Sequence, residues 1–217
     1  MPLKPFLRAA AIGLLLLGGW GLDDVGGFFR DPARCAACFL LVAFVVLTPL
    51  LRKPAPLAAG TRPHASQCWL ILSSQAAILF LQWFLPHADR HSLWTFADPG
   101  VRAAGAFLLV AGGAIQLWAI HTLDRQYSPF VTIQKNHQLV QSGAYRFVRH
   151  PIYLGLLIGF PGLILVFRSR VVFPALILTV LFIALRIQWE ERLLQGEFGQ
   201  QFTSYRQQTA RLIPYIY

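Results

Sequence analysis

Charge is what this sequence has least of. Only 13% of its 217 residues are Asp, Glu, Lys or Arg, about half the roughly 25% of a soluble domain. That leaves too little polar surface to cover a water-soluble globule, so one membrane domain is the economical reading. Acidic residues are scarcest, nine against 19 Lys and Arg, for a net charge of +10. No nucleic-acid motif accompanies this excess, and the bases sit in short loops rather than in a stripe interleaved with aromatics. Nucleic acid is therefore set aside, leaving anionic lipid and membrane topology as the meaning of the charge. Cysteine is nearly absent. Cys35 and Cys38 form a C-x-x-C, and Cys68 is the third. A zinc site needs four ligands and a redox pair needs a thioredoxin-like context, so no metal site is expected. No A-x-A-like cleavage site follows the first apolar run, and a retained helix is expected there rather than a signal peptide. There is no internal repeat, and no biased segment beyond the loop PAPLAAG with Pro54, Pro56 and Gly60.

What is abundant is apolar: 56% of the chain is hydrophobic. A helical span takes about 20 apolar residues. Six runs qualify or nearly so: Phe6–Leu22, Cys35–Leu51, Cys68–Leu85, Val101–Ile120, Tyr153–Phe167 and Val171–Trp189. Lipid offers unpaired backbone groups no partner, so all six are expected to be helices. The predicted fold class is thus all-α, a polytopic membrane protein of about six transmembrane helices. The last two runs are joined only by Arg168, Ser169 and Arg170, and read as an antiparallel hairpin that spans or partly spans, kinked at Pro161 and Pro174. With the N-terminus cytoplasmic, 13 of the 19 Lys and Arg fall inside, and six, Arg30, Arg34, Arg90, Arg102, Arg168 and Arg170, fall outside. Both termini are then cytoplasmic. Residues 1–115 read as a transmembrane scaffold and residues 116–217 as the part that carries chemistry.

Two polar clusters flank the final hairpin. The first is GAYRFVRHPIYLG, Gly143 to Gly155. Gly143 marks a turn, and Pro151 suits the first turn of a helix, which puts His150 at its start. Free N–H groups there favour an anion such as a ligand carboxylate. Tyr145 and Tyr153 offer flat faces and hydroxyls, and Arg146 and Arg149 suit a carboxylate or phosphate. The second cluster is RIQWEE, Arg186 to Glu191. Arg186 and Glu190 are four apart and share a helix face, whereas Glu190 and Glu191 point about 100° apart and need different partners. An interfacial belt of aromatic and basic residues, with a snorkelled arginine, is the bland alternative for both.

Read together, H-x-L-V from His137, G-x-Y at Tyr145, R-H-P-x-Y-x-G from Arg149, R-x-x-x-E-E from Arg186, and the later Phe198, Tyr205 and Arg211 stand in order. This set resembles the isoprenylcysteine carboxyl methyltransferase family, within a wider group of integral-membrane methyltransferases that includes phospholipid methyltransferases. The resemblance runs from about Leu117 to the C-terminus. It implies S-adenosylmethionine as methyl donor, with S-adenosylhomocysteine as product, held at the cytoplasmic feet of the last helices. It implies cofactor contacts at Gln134, His137, Gln138, Leu139, Val140, Tyr145, His150, Pro151, Ile152, Tyr153, Glu190 and Glu191. Arg186 is implied to orient the substrate carboxylate, and Arg186 with Glu190 is the expected catalytic pair. The expected acceptor is lipophilic, a carboxylate such as that of a prenylated cysteine. A phospholipid or amine acceptor, a thiol, a non-catalytic binder of S-adenosylmethionine, and a nicotinamide-dependent membrane reductase stay open as alternatives, although no G-x-G-x-x-G is present.

Overall fold

The computed structural model describes residues 3–51, 65–128, 132 and 137–213. Gln134 and the loop with Pro54, Pro56 and Gly60 lie outside them. Each of the six apolar runs forms a helix. They are α1 (Leu3–Trp20), α3 (Pro32–Leu50), α4 (Ala65–Arg90), α5 (Gly100–Leu123), α6 (Pro151–Val166) and α7 (Val172–Phe198). The short α2 (Val25–Phe29) and the terminal α8 (Gln200–Gln208) complete the set, and no strand longer than an isolated bridge forms among the described residues.

Local chemistry sets the boundaries. Asp31 caps α3 by accepting from the Ala33 and Arg34 amides, with Pro32 at the first helical position. Gly199, at φ 49°, closes α7 and opens α8. Pro161 lies inside α6. Pro174, expected to kink its helix, instead lies in the first turn of α7, where a missing N–H costs nothing.

Among the described residues four helices are long and apolar enough to cross a membrane, or five if Lys4–Trp20 and Leu22–Phe29, bent by 90°, form one broken span. The expectation of six is thus met in helices but not in span length. With 16 residues α6 is about 24 Å long, short of a hydrocarbon core of about 30 Å. Large apolar side chains such as Phe39, Trp69, Phe107 and Leu178 face outward, as a hydrocarbon surround requires.

The most intimate packing is between α5 and α6. A Cβ added to Gly112 would sit 2.3 Å from the Gly159 amide nitrogen, and one on Gly105 would sit 2.5 Å from that of Val166. Gly155 and Gly162 meet α5 backbone just as closely. Only glycine lets two helices approach so nearly. Next to this seam, α6 and α7 run antiparallel around the Phe167–Val171 turn. They pack Ile164 with Ala175 at one end and Tyr153 and Leu157 with Ile183 and Ile187 at the other. The expected division at 115/116 falls inside α5, and one core runs through Leu16, Phe28, Leu85, Ile164 and Phe167.

At the α6–α7 turn a buried ion network ties five elements together. The Asp89 side chain, fully buried, accepts from Arg34 (3.1 Å), Arg102 (2.8 Å) and Arg168 (3.1 Å). Arg102 also meets Asp31 at 3.1 Å and donates to the Val166 carbonyl at 2.8 Å. Arg34 donates to the Gly27 and Phe28 carbonyls and lies 4.2 Å over the Trp20 ring. Three of the six arginines assigned to the outer side are therefore engaged in an ion network rather than solvated in loops. The network fixes the far end of α6, and the candidate site lies at the other end.

Candidate active site at the start of α6

His150 is the N-cap of α6 and Pro151 its first residue, so Tyr153 projects from the first turn. Gly143, at φ 57°, begins the turn that leads there, and a side chain at that position would strike Thr122. On α7, Arg186 and Glu190 face this turn together. The Tyr153 hydroxyl lies between them, donating to Glu190 Oε2 at 2.9 Å and accepting from Arg186 Nε at 3.3 Å. A cation, a hydroxyl and a carboxylate thus form one chain, and Arg186 is buried.

The chain borders a cavity of about 260 Å³. Of the residues singled out in the sequence, His137, Val140, Tyr145, Arg149, His150, Ile152, Tyr153, Arg186 and Glu190 line it. Gln126, Tyr127, Ser128, Thr132, His137 and Val140 supply one wall together with the turn into α6, and α7 supplies another. The third wall is Ile71, Ser74 and Gln75 of α4, a helix read as scaffold. Ser74 and Gln75, polar residues inside an apolar run, were the available signal. Phe182, Leu193 and Leu194 add an apolar side that sequence reasoning also missed.

Four expected residues lie off the cavity wall. Gln138 is exposed and Leu139 half-buried, while Pro151 is buried as the helix start. Glu191 turns to the other side of α7, as its position one residue from Glu190 dictates. There it accepts from Arg149 at 3.2 Å, Arg211 at 2.9 Å and His150 Nε2 at 3.3 Å. The other ring nitrogen of His150, Nδ1, lies 3.9 Å from Glu190 Oε1, so the imidazole bridges the two glutamates.

The tail locks this arrangement. The Arg149 and His150 amides donate to the Ala210 and Arg211 carbonyls at 2.8 and 3.2 Å, and the Arg149 guanidinium reaches the Arg206 and Thr209 carbonyls. Phe202 is fully buried, and Tyr205 donates to the Tyr145 carbonyl at 2.7 Å. Burial pushes the Tyr205 phenol up to about 12 and that of Tyr145 well above its ordinary value, so both keep their protons. Tyr205 is therefore a staple between α8 and the turn before α6. His137 stands 5.6 Å from the Phe198 ring, and burial lowers its imidazole below the ordinary value of 6.5. Among the described residues no three His, Cys, Asp or Glu side chains gather as a metal site.

Comparison with known proteins bears on this constellation. The model of the isoprenylcysteine carboxyl methyltransferase family matches residues 105–196. A protein-S-isoprenylcysteine O-methyltransferase of Tribolium castaneum is 32% identical over 217 residues, covering 97% of this chain and 75% of its own. A methanethiol S-methyltransferase of Crocosphaera subtropica is 35% identical over 165 residues, covering 71% of this chain and 63% of its own. The chain spans 58% and 66% of the length of two Arabidopsis thaliana protein-S-isoprenylcysteine O-methyltransferases that it matches. A solved structure of a eukaryotic intramembrane Ras methyltransferase, isoprenylcysteine carboxyl methyltransferase, shares the fold. Its TM-score is 0.60 at 24% identity, over 96% of this chain and 75% of that one.

Proposed function

Because the chain belongs to the isoprenylcysteine carboxyl methyltransferase family, we propose that it is an integral-membrane methyltransferase that esterifies a lipophilic carboxylate of the prenylcysteine kind. The observation that carries this reading is the Arg186–Tyr153–Glu190 chain on the cavity wall. A buried guanidinium beside an amphipathic cavity suits an acceptor that is anionic at one end and apolar at the other.

The residues present fit S-adenosylmethionine. Glu190 offers a carboxylate, and Tyr145 and Tyr153 offer aromatic surface, on one cavity; these are the groups that favour a cationic ligand. We assign its binding to His137, Val140, Tyr145, His150, Ile152, Tyr153 and Glu190. Gln134, Gln138 and Leu139 flank the set in sequence, and Pro151 and Glu191 support it. When bound, the cofactor supplies an electrophilic methyl group. The protein's own tasks are alignment and exclusion of water. Arg186 grips one oxygen of the acceptor carboxylate and leaves the other free, and the Tyr153 hydroxyl fixes the guanidinium. A carboxylate is ionised at pH 7 and needs no general base. Orientation of this kind is worth up to roughly 7–11 kcal/mol in ideal cases. Phe182, Leu193, Leu194 and Ile71 keep the apolar side dry.

The same reading places the cavity and both termini on the cytoplasmic side, with six spans once α1 with α2 and the short α6 are counted. It also assigns support to residues 1–115 and chemistry to residues 116–217, with Ile71, Ser74 and Gln75 as the scaffold's contribution to the site.

A second reading, a thiol acceptor, is favoured by the 35% identity to a methanethiol S-methyltransferase. One assay separates the two. Purified protein is given S-adenosylmethionine labelled in its methyl group, with farnesylcysteine or methanethiol as acceptor. An ester releases labelled methanol in base, and a thioether does not. Base-labile product from farnesylcysteine supports the first reading; labelled thioether with no ester supports the second.

A further inference from the structure

Away from the cavity, Gln188, Arg192 and Gln195 follow one another four and three residues apart, and so share a face of α7. With Arg206 of α8 and Arg211 of the tail they wall an open cleft of about 390 Å³, with Glu191 in its lining. Glu191 is already engaged by Arg149, His150 and Arg211. The Arg192 and Arg206 side chains are exposed and make no hydrogen bond or ion pair among the described residues. The cleft thus has a net positive charge, with two guanidiniums available to an incoming group. Such planar forks match the oxygens of a phosphate.

Position selects the source of that phosphate. The apolar run of α7 ends at Trp189, so the cleft begins where the helix leaves the hydrocarbon. That is the level of lipid headgroups, where basic residues meet anionic lipid. We propose that this cleft binds the phosphate of an anionic phospholipid headgroup, which bridges Arg192 on α7 and Arg206 on α8. Binding there fastens α8 beside the latch that holds His150. The proposal does not depend on methyl transfer, only on α7 crossing the membrane.

The test is native mass spectrometry of the full chain purified in a neutral detergent, with phosphatidylglycerol or phosphatidylcholine added. The wild type is expected to retain phosphatidylglycerol selectively. Arg192→Gln/Arg206→Gln should retain it on the order of 10-fold less, whereas Arg30→Gln, at an exposed position on another loop, should not. Equal retention by the double variant, or equal retention of phosphatidylcholine, overturns the proposal. Inorganic phosphate that competes at matched concentration also overturns it, and assigns the cleft to a soluble ion. Should the double variant fold poorly, salt gives the answer on the wild type. Retention should fall steeply from about 0.05 to 0.5 M salt, and salt-independent retention refutes the proposal.

Discussion

Replacing Glu191 with Gln keeps the shape of the side chain and removes its charge. In the native protein this one carboxylate holds Arg149 at 3.2 Å, Arg211 at 2.9 Å and His150 at 3.3 Å. Its side chain is 9% exposed, and that of His150 only 2%. Removing one partner of a buried ion pair costs about 3–5 kcal/mol, because the other charge stays buried without compensation. Arg211 is 24% exposed and turns to water on losing its partner, which favours the lower end, about 3 kcal/mol. In a protein of this size each kcal/mol is worth roughly 2–4 °C, so Glu191→Gln should melt roughly 6–12 °C below wild type. The three free cysteines, all half-buried, allow the melt to be followed in detergent with a thiol-reactive dye. Affinity for S-adenosylmethionine should fall only in part, through loss of support for His150. A melting temperature within about 2 °C of wild type, with cofactor affinity abolished, refutes the reasoning. It would return Glu191 to direct cofactor contact.

Four further substitutions test other parts of the structure. Arg186→Ala should lower turnover on the order of 10²-fold or more while leaving cofactor affinity by calorimetry nearly unchanged; collapse of that affinity in a folded variant would show that Arg186 does not serve the acceptor. Gly112→Ala should destabilise, by about 1–3 kcal/mol or more, since its Cβ would meet the Gly159 nitrogen at 2.3 Å. Gly113→Ala meets nothing within 4 Å and should be neutral or gain up to about 1 kcal/mol; equal melting of the two variants would contradict the α5–α6 seam. Asp89→Asn leaves Arg34, Arg102 and Arg168 without their shared carboxylate. It should cost about 3–5 kcal/mol in a thermal melt with cofactor affinity intact, because the network lies at the far end of α6. Loss of that affinity in a still-folded Asp89→Asn would link the two ends.

What the sequence discloses is what local rules govern. Apolar runs give helices, and a proline after His150 gives a helix start. A four-residue spacing puts Arg186 and Glu190 on one face, although only the structure sets the Tyr153 hydroxyl between them. Contacts set by long-range packing were not legible in the same way. The glycines at 105 and 112 and at 155, 159 and 162 each look like ordinary membrane-helix glycines, and only the paired helices reveal the seam. Asp89 draws partners from positions 34, 102 and 168, and no spacing rule joins these. The contribution of α4 to the cavity stayed hidden because one serine and one glutamine in an apolar run are weak signals until a wall is built around them. The divergence of Glu190 and Glu191 was legible, but the destination of Glu191 depended on a tail that folds back over α7.

Calorimetric titration of S-adenosylmethionine into the detergent-solubilised protein, beside Glu190→Ala, tests the central claim most directly. Micromolar binding by the wild type, lost in the variant, is the expected result. A well-folded wild type that binds nothing, or a variant that binds with unchanged affinity, would contradict the assignment of the cavity to that cofactor.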